Sequence, residues 1–210
     1  MVAEAQVRPG WSGALLIGGA SRRMGRDKLR LPFEDGRPLV EVPAEALRRC
    51  CRPCFAVGRS RTPGWSLSGF EPLDDALPDA GPLAAVVAAL EASPNPWVLV
   101  LAGDLPQIGE EFLLELQQRA EDQPQRACLP QSRRGLEPLV AAYPKSLAEE
   151  FREALEKGER ALRRAIPREK LQVWTYEESR EGGRLWDPFC NLNTQEDWDR
   201  FHHRRKPKTF

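Results

Sequence analysis

Two hydrophobic periods alternate along this chain, and each change of period marks an element. Ala14, Leu15, Leu16 and Ile17 form an unbroken apolar run that stops at Gly18-Gly19, the pattern of a strand buried on both faces. Residues 1–12 contain Pro9 and Gly10 without a sustained period and are expected to be a loose lead-in. Leu39, Val42, Ala46, Leu47 and Cys50 then recur at helical spacing, with Pro43 marking a first-turn position or a kink. Phe55, Ala56 and Val57 predict a short second strand ending at Gly58, residues 59–68 with Pro63-Gly64 a loop, and a third short strand lies near Phe70. Gly81-Pro82 opens a helix in which Leu83, Val86, Val87 and Leu90 fall at i, i+3, i+4 and i+7, an amphipathic stripe facing the core. Trp97–Ala102 is continuously apolar between Pro96 and Gly103-Asp104, which makes it the central strand.

The second half continues the alternation. Phe112, Leu113, Leu116 and Ala120 predict a helix, residues 127–130 a short strand, and residues 137–143 another. Leu147, Phe151 and Leu155 predict a helix that stops near Gly158, residues 159–165 a shorter helix, and residues 171–176 a further strand. After Glu181-Gly182-Gly183, Thr194 is an N-cap with Asp197 in capping-box position, so a final helix should start there. Alternating strands and helices imply an α/β fold: a mainly parallel, Rossmann-like sheet with helices on both faces, in three layers. No linker or low-complexity stretch divides the chain, and a single domain over 1–210 is expected, with 1–12 and 204–210 as loose ends.

Composition removes several function classes. The 31 basic and 31 acidic residues cancel, so there is no global electrostatic case for nucleic acid or a membrane surface, and any anion site must come from local charge placement. No apolar run approaches the roughly 18 residues of a membrane span and no export signal begins the chain, so a cytoplasmic location is expected. The five cysteines, Cys50, Cys51, Cys54, Cys128 and Cys190, are an odd and uneven set unlike a secreted disulfide framework. Cys51-Arg52-Pro53-Cys54 matches C-x-x-C, but no second pair or paired His completes a zinc site, and Cys54 begins a strand. The basic run from His202 to Lys208 reads as a solvated end.

Local charge placement is concentrated after the first strand. Gly18 and Gly19 remove the Cβ atoms that would keep a ligand from the main chain, so backbone N–H groups can converge on an anion. Arg22, Arg23, Arg26 and Lys28 add mobile positive charge of the kind a triphosphate requires. The spacing is neither that of a P-loop nor that of a dinucleotide fold. Asp104, at the end of the central strand, projects over the sheet edge, where Mg²⁺ is the fitting partner: the ion takes one or two protein carboxylates and completes its shell with water and phosphate oxygens. Since ligands bind such sheets at the carboxyl ends of strands, the glycine loop and Asp104 can meet. Asp74 and Asp75 precede the Gly81-Pro82 helix start and either accept hydrogen bonds from a base edge or cap a turn; guanine, with its N1–H and N2–H₂ donors, is the base best matched to a carboxylate. Asn191 and Asn193 share one direction if extended, and supply neutral ligands beside the metal or serve as turn caps.

The stretch LLIGGASRRMGRDK closely resembles the nucleotidyltransferase signature L-A-G-G-x-S-x-R-M-G-x-D-K, with Ile17 in place of Ala. With Asp-Asp-x₅-Gly-Pro-Leu-Ala, the Gly-Asp-Leu-Pro turn, Glu-Lys-Gly-Glu-Arg at 156–160 and Asn-Leu-Asn-Thr-Gln-Glu-Asp at 191–197, it resembles the molybdenum cofactor guanylyltransferase family over nearly the whole chain. The resemblance implies a nucleotide-diphospho-sugar transferase type of fold and transfer of GMP from Mg·GTP to the terminal phosphate of molybdopterin, giving the guanine dinucleotide and pyrophosphate. It also implies a molybdoenzyme or its chaperone as a receiving partner. Carried over by position, it puts Leu16, Ile17, Gly18 and Gly19 along the nucleotide, Lys28 and Arg23 on phosphates, Asp75 facing guanine, Asp104 on Mg²⁺, and Asn191 and Asn193 near metal and acceptor.

The sequence departs from the family pattern at four places. Ala85 stands where Gly is common, Gly58 where an Asn often contacts the nucleotide, and Glu137 where a His or Arg more often faces the cofactor; the loop from Asp75 to Gly81 is one residue short. The implied chemistry needs no strong base, because the attacking phosphate is already ionised and catalysis lies in positioning and charge neutralisation. The presence of only two histidines is therefore no objection. Two alternatives stay open from the sequence: a related transferase using CTP or a sugar-phosphate acceptor, and a non-catalytic molybdenum cofactor carrier. A carrier would not need both Lys28 and Asp104.

Overall fold

A computed structural model of the chain describes residues 7–18, 27–33, 36–58, 66–175 and 189. Five helices and eight strands occur among them. The first half runs β1 (Trp11–Leu16), α1 (Glu41–Cys50), β2 (Cys54–Val57), β3 (Glu71–Leu73), α2 (Pro82–Ala92) and β4 (Trp97–Ala102). The second runs α3 (Glu110–Glu121), β5 (Ala127–Ser132), β6 (Gly135–Leu136), β7 (Val140–Pro144), α4 (Ala148–Glu156), α5 (Leu162–Ala165) and β8 (Leu171–Thr175). The sheet order is β3-β2-β1-β4-β7-β5-β6, with β8 pairing β5. β3, β2, β1 and β4 are mutually parallel, β7 is antiparallel to both β4 and β5, and β8 is parallel to β5. The expected mainly parallel α/β sheet is thus present, with β7, inserted beside its centre, and the short β6 at the edge running the opposite way.

Period-two patterning assigns the two faces. In β4 all six residues are buried; Trp97, Leu99 and Leu101 join one core, with α1 and α3, while Val98 and Val100 join the other, with α2, α4 and α5. β7 divides the same way, Val140 and Ala142 to the first core and Ala141 and Tyr143 to the second. These are the three layers.

Three expectations need correction. The loose lead-in ends earlier than residue 12, because Trp11 and Ser12 belong to β1. Trp11 stacks on Trp97 with ring centroids 5.0 Å apart, and its indole N–H donates to Glu121 Oε1 at 2.9 Å. Ser93 Oγ donates to Ser12 Oγ at 2.8 Å. The stripe on α2 is also not amphipathic: every residue from Leu83 to Leu90 is buried, including Ala85 and Ala88 on the side away from the leucines. α2 lies on β1, β2 and β4 and also packs against α4 and α5 in the same layer, so a helix that reads as half-exposed is enclosed. The strand expected over 137–143 begins only at Val140; Gly135 and Leu136 form a hairpin with β5, and the chain turns at Glu137, whose carbonyl accepts from Val140 N. Tyr176 and the helix expected from Thr194 lie outside the described residues. No helix among the described residues is long and apolar enough to cross a membrane.

Candidate active site

The carboxyl ends of the four parallel strands are stitched into one floor. Leu16 registers with Val57 on one side and with Ala102 on the other, and Val57 registers with Leu73. Beyond the strands the ladder continues: Ile17 N donates to Val57 O (2.9 Å), Gly58 N to Leu73 O (3.0 Å) and Gly103 N to Leu16 O (3.0 Å). This brings Gly18, Gly58, Asp75 and Asp104 to neighbouring strand ends although the sequence scatters them.

Two glycines touch at the centre of that floor. A Cβ on Gly58 would lie 2.7 Å from Gly18 Cα and 2.9 Å from Gly18 N, and Gly58 adopts φ +103°, so both space and backbone geometry require glycine there. No side chain fits at this position of the chain, where the resemblance led to an expectation of Asn. The Asp75 carboxylate borders both residues: Oδ1 would be 3.5 Å from a Cβ on Gly58, and Oδ2 3.9 Å from one on Gly18. Asp75 is half-buried, and burial, reinforced by the charges of Asp74 and Asp79, raises its pKa above the ordinary value.

On the other side of β1, Lys28 Nζ donates to Asp104 Oδ2 at 2.5 Å, across 76 residues of sequence. The two side chains are 17% and 16% exposed, so the pair is sheltered. Lys28 begins a 3-10 turn over Lys28–Arg30, in which Asp27 Oδ1 accepts from Leu29 N at 3.3 Å. Leu29 is buried, and its Cδ2 would lie 3.4 Å from a Cβ on Gly103, so the Lys28 turn packs closely on the end of β4. The donor set fits Mg²⁺: a carboxylate that already holds a cationic group stands at the strand end. No group of three or more His, Cys, Asp or Glu among the described residues forms a closed cage, and a shell completed by phosphate oxygens is the usual one for this ion.

The segment at 156–160 also reaches this edge. A Cβ on Gly81, at the start of α2, would lie 3.7 Å from Arg160 O. Arg160 itself turns back, its guanidinium donating to Leu155 O (2.9 Å) and Glu159 O (2.8 Å). Glu159 accepts from Arg164 and from the N–H groups of Ala161 and Arg160, which hold its pKa down at about 2. Glu137 accepts from Ser132 Oγ at 2.5 Å, which ties it to the β5–β6 hairpin.

The C-x-x-C motif forms no metal site among the described residues. Cys50, Cys51, Cys54 and Cys128 are free thiols, all buried, and burial pushes Cys50 and Cys128 up to about 12 and Cys54 up to about 11. Of the site residues expected from the sequence, Leu16, Ile17, Gly18, Lys28, Asp75 and Asp104 gather at the strand ends. Gly19, Arg22, Arg23, Arg26, Asn191 and Asn193 lie outside the described residues. Sequence reading missed the direct pairing of Lys28 with Asp104 and the packing of Leu29 beside Gly103; the glycine immediately before Asp104 was the available signal for the second.

A nucleotide-binding α/β transferase is the class that this floor and sheet order define, and comparison with known proteins agrees. A family model described as the MobA-like NTP transferase domain matches residues 13–173. A probable molybdenum cofactor guanylyltransferase of Opitutus terrae is 33% identical over 202 residues, covering 93% of this chain and 95% of that protein. A probable molybdenum cofactor guanylyltransferase of Pyrococcus furiosus is likewise 33% identical, covering 94% of this chain and 96% of its own length. Among solved structures, molybdopterin-guanine dinucleotide biosynthesis protein A from Archaeoglobus fulgidus superposes with a TM-score of 0.76 at 27% identity, covering 90% of this chain and 95% of that one. The chain belongs to the MobA-like NTP transferase family and is a nucleotidyltransferase.

Proposed function

We propose that this chain, acting as one catalytic domain in the cytoplasm, transfers GMP from Mg·GTP to the terminal phosphate of molybdopterin, forming molybdopterin guanine dinucleotide and pyrophosphate. The observation that carries the reading is the sheltered Lys28–Asp104 pair beside a side-chain-free glycine floor, with the Asp75 carboxylate on its far side. The names of the relatives above support guanine as the base and molybdopterin as the acceptor.

Each group has a role set by its position. Asp75 accepts from guanine N1–H and N2–H₂, a pairing that cytosine cannot offer in the same geometry. The Ile17 N–H is already committed to Val57 O, so Ile17 contributes an apolar wall with Leu16, and backbone donation to the phosphates begins at Gly18 and Gly19. Asp104 holds Mg²⁺, which when bound neutralises charge on the transferring phosphate. Lys28, with Arg23, stabilises the departing pyrophosphate. Asn191 and Asn193 complete the site near metal and acceptor. The attacking phosphate oxygen is already anionic, so no side chain need remove a proton.

Pyrophosphate release from GTP and, separately, CTP, with Mg²⁺ and molybdopterin, tests the reading in the intact protein and in Asp104→Ala. GTP-specific release that falls by about 10²-fold or more in the variant is expected. Release with CTP would make the chain a cytidylyltransferase. No release with either nucleotide, despite cofactor binding, would make it a carrier.

A further inference from the structure

We propose that Lys28 and Asp104 form an exchange pair: each occupies the other's ligand position, so a divalent cation arriving on Asp104 hands Lys28 to a polyphosphate, and each ligand strengthens binding of the other. This rests on the nucleotidyl-transfer reading and deepens it. Nothing in the separate roles of phosphate ligand and metal ligand requires the two side chains to touch, yet Nζ and Oδ2 are 2.5 Å apart.

The backbones at both ends are fixed. Asp104 follows a strand buried along its whole length, and Gly103 is tied to Leu16. The Lys28 turn is closed by Arg30 N to Asp27 O (3.1 Å) and Leu31 N to Lys28 O (3.2 Å), and is held to α1's approach by Val40 N to Leu29 O (3.1 Å). Leu29 packs beneath it at 4% exposure. The movable part is therefore the Lys28 side chain, whose flexible four-carbon stem carries a compact, strongly hydrated charge suited to phosphate.

The electrostatics give the coupling its sign. At 17% and 16% exposure, neither charge is fully solvated, so each is felt strongly by the other and by any ion that replaces it. A cation alone on Asp104 must displace the ammonium group. A polyphosphate alone on Lys28 must approach with the Asp104 carboxylate still facing it. When both arrive, every charge has an opposite neighbour. Coupling of this kind is reciprocal and spans roughly 5–150-fold in affinity.

The test uses Mn²⁺ alone and inorganic triphosphate in chelator as probes, measured by titration calorimetry. Lys28→Met is expected to bind Mn²⁺ about tenfold more tightly than the unsubstituted protein, because the competing ammonium is gone. Asp104→Asn is expected to bind metal-free triphosphate about tenfold more tightly, because the carboxylate that competes for Lys28 and repels the anion is gone. Equal or weaker binding in either variant overturns the exchange pair. Should a variant fail to fold, the unsubstituted protein decides: with ¹³C-lysine labelling, the Lys28 Cε resonance, assigned from its loss in Lys28→Arg, must move with saturating Mg²⁺ in the absence of nucleotide. An unmoved resonance overturns the proposal. If GTP does not bind while the Mn²⁺ and triphosphate results stand, the guanylyl reading fails alone; if GTP is turned over but the variants bind both probes like the parent, the exchange pair fails alone.

Discussion

At the scale of single residues, the site is governed by one close approach. Gly58 has no room for a Cβ because the nearest atoms are Gly18 backbone, which cannot rotate aside, and its φ of +103° is strained for any L side chain. Gly58→Ala is expected to cost about 2 kcal/mol or more, the sum of a strained backbone and a displaced glycine loop. Gly36→Ala is the matched control: φ is +82° but nothing lies within 4 Å, so only the conformational cost of about 1 kcal/mol applies. Denaturant midpoints separate the two, and equal losses would show that Gly18 yields freely. Asp75 carries the opposite trade. Its folded pKa is raised above the ordinary 3.8, mainly by burial, so folding disfavours the ionised form: the contribution is unimpaired below about pH 3.8 and is lost as pH rises through the folded value. Asp75→Asn should therefore melt higher than the parent at pH 7, with the gain vanishing in acid, while GTP affinity falls about tenfold or more through loss of a charged acceptor. A neutral-pH melting temperature below the parent's would mean that the carboxylate is held by the fold and not exposed to a ligand.

At the scale of elements, β4 was fully legible and α2 was not, for related reasons. Both are continuously apolar, and a strand buried on two faces must be so. In α2 the large residues Leu83, Val86, Val87 and Leu90 form a stripe, and the alanines between them read as a neutral outer face. Alanine carries too little side chain to reveal whether solvent or another helix lies beyond it; here α2 packs against α4 and α5 as well as the sheet, and Ala85 and Ala88 are 6% and 7% exposed. Ala88→Gln distinguishes the two pictures. A surface helix would accept it within about 0.5 kcal/mol, whereas insertion at an enclosed position should cost about 1–3 kcal/mol from overpacking, with an added penalty for a buried amide lacking partners. Chemical denaturation reads the difference directly. The antiparallel β7 was hidden for another reason: strand direction leaves no trace in a five-residue apolar run, and only the β5–β6 hairpin turns the chain.

At the scale of the whole molecule, the sheet and the positions of Gly18 and Asp104 could be read because each sits at an abrupt end of an apolar run, where a parallel sheet puts its ligands, whereas Asp75 follows the short, largely exposed Glu71–Leu73 and its place at the site rested on the family resemblance. The contact between Lys28 and Asp104 could not, since charge pairing across 76 residues has no local period. The thiols offer a global measure of how far this assembly holds together. Cys50, Cys51, Cys54 and Cys128 all belong to the core between the sheet, α1 and α3, with exposures of 0%, 0%, 2% and 0%. Burial both blocks reagents and raises their pKa values, so the nucleophilic thiolate is scarce as well as enclosed. In Cys190→Ser protein, a thiol reagent at pH 8 should label none of the four rapidly and all four after unfolding in denaturant. Slow native labelling then reports opening of the core. A nucleotide complex that binds only the folded site should slow it in proportion to site occupancy, about 100-fold at 100 times the dissociation constant, if the opening that exposes the thiols also destroys the strand-end floor. The β1 ladder joins the two physically, since Gly13 packs on Cys51 and Cys54 while Leu16 ends at the site. Labelling that ligand leaves unchanged would mean that α1 and α3 lift away while the floor stays intact.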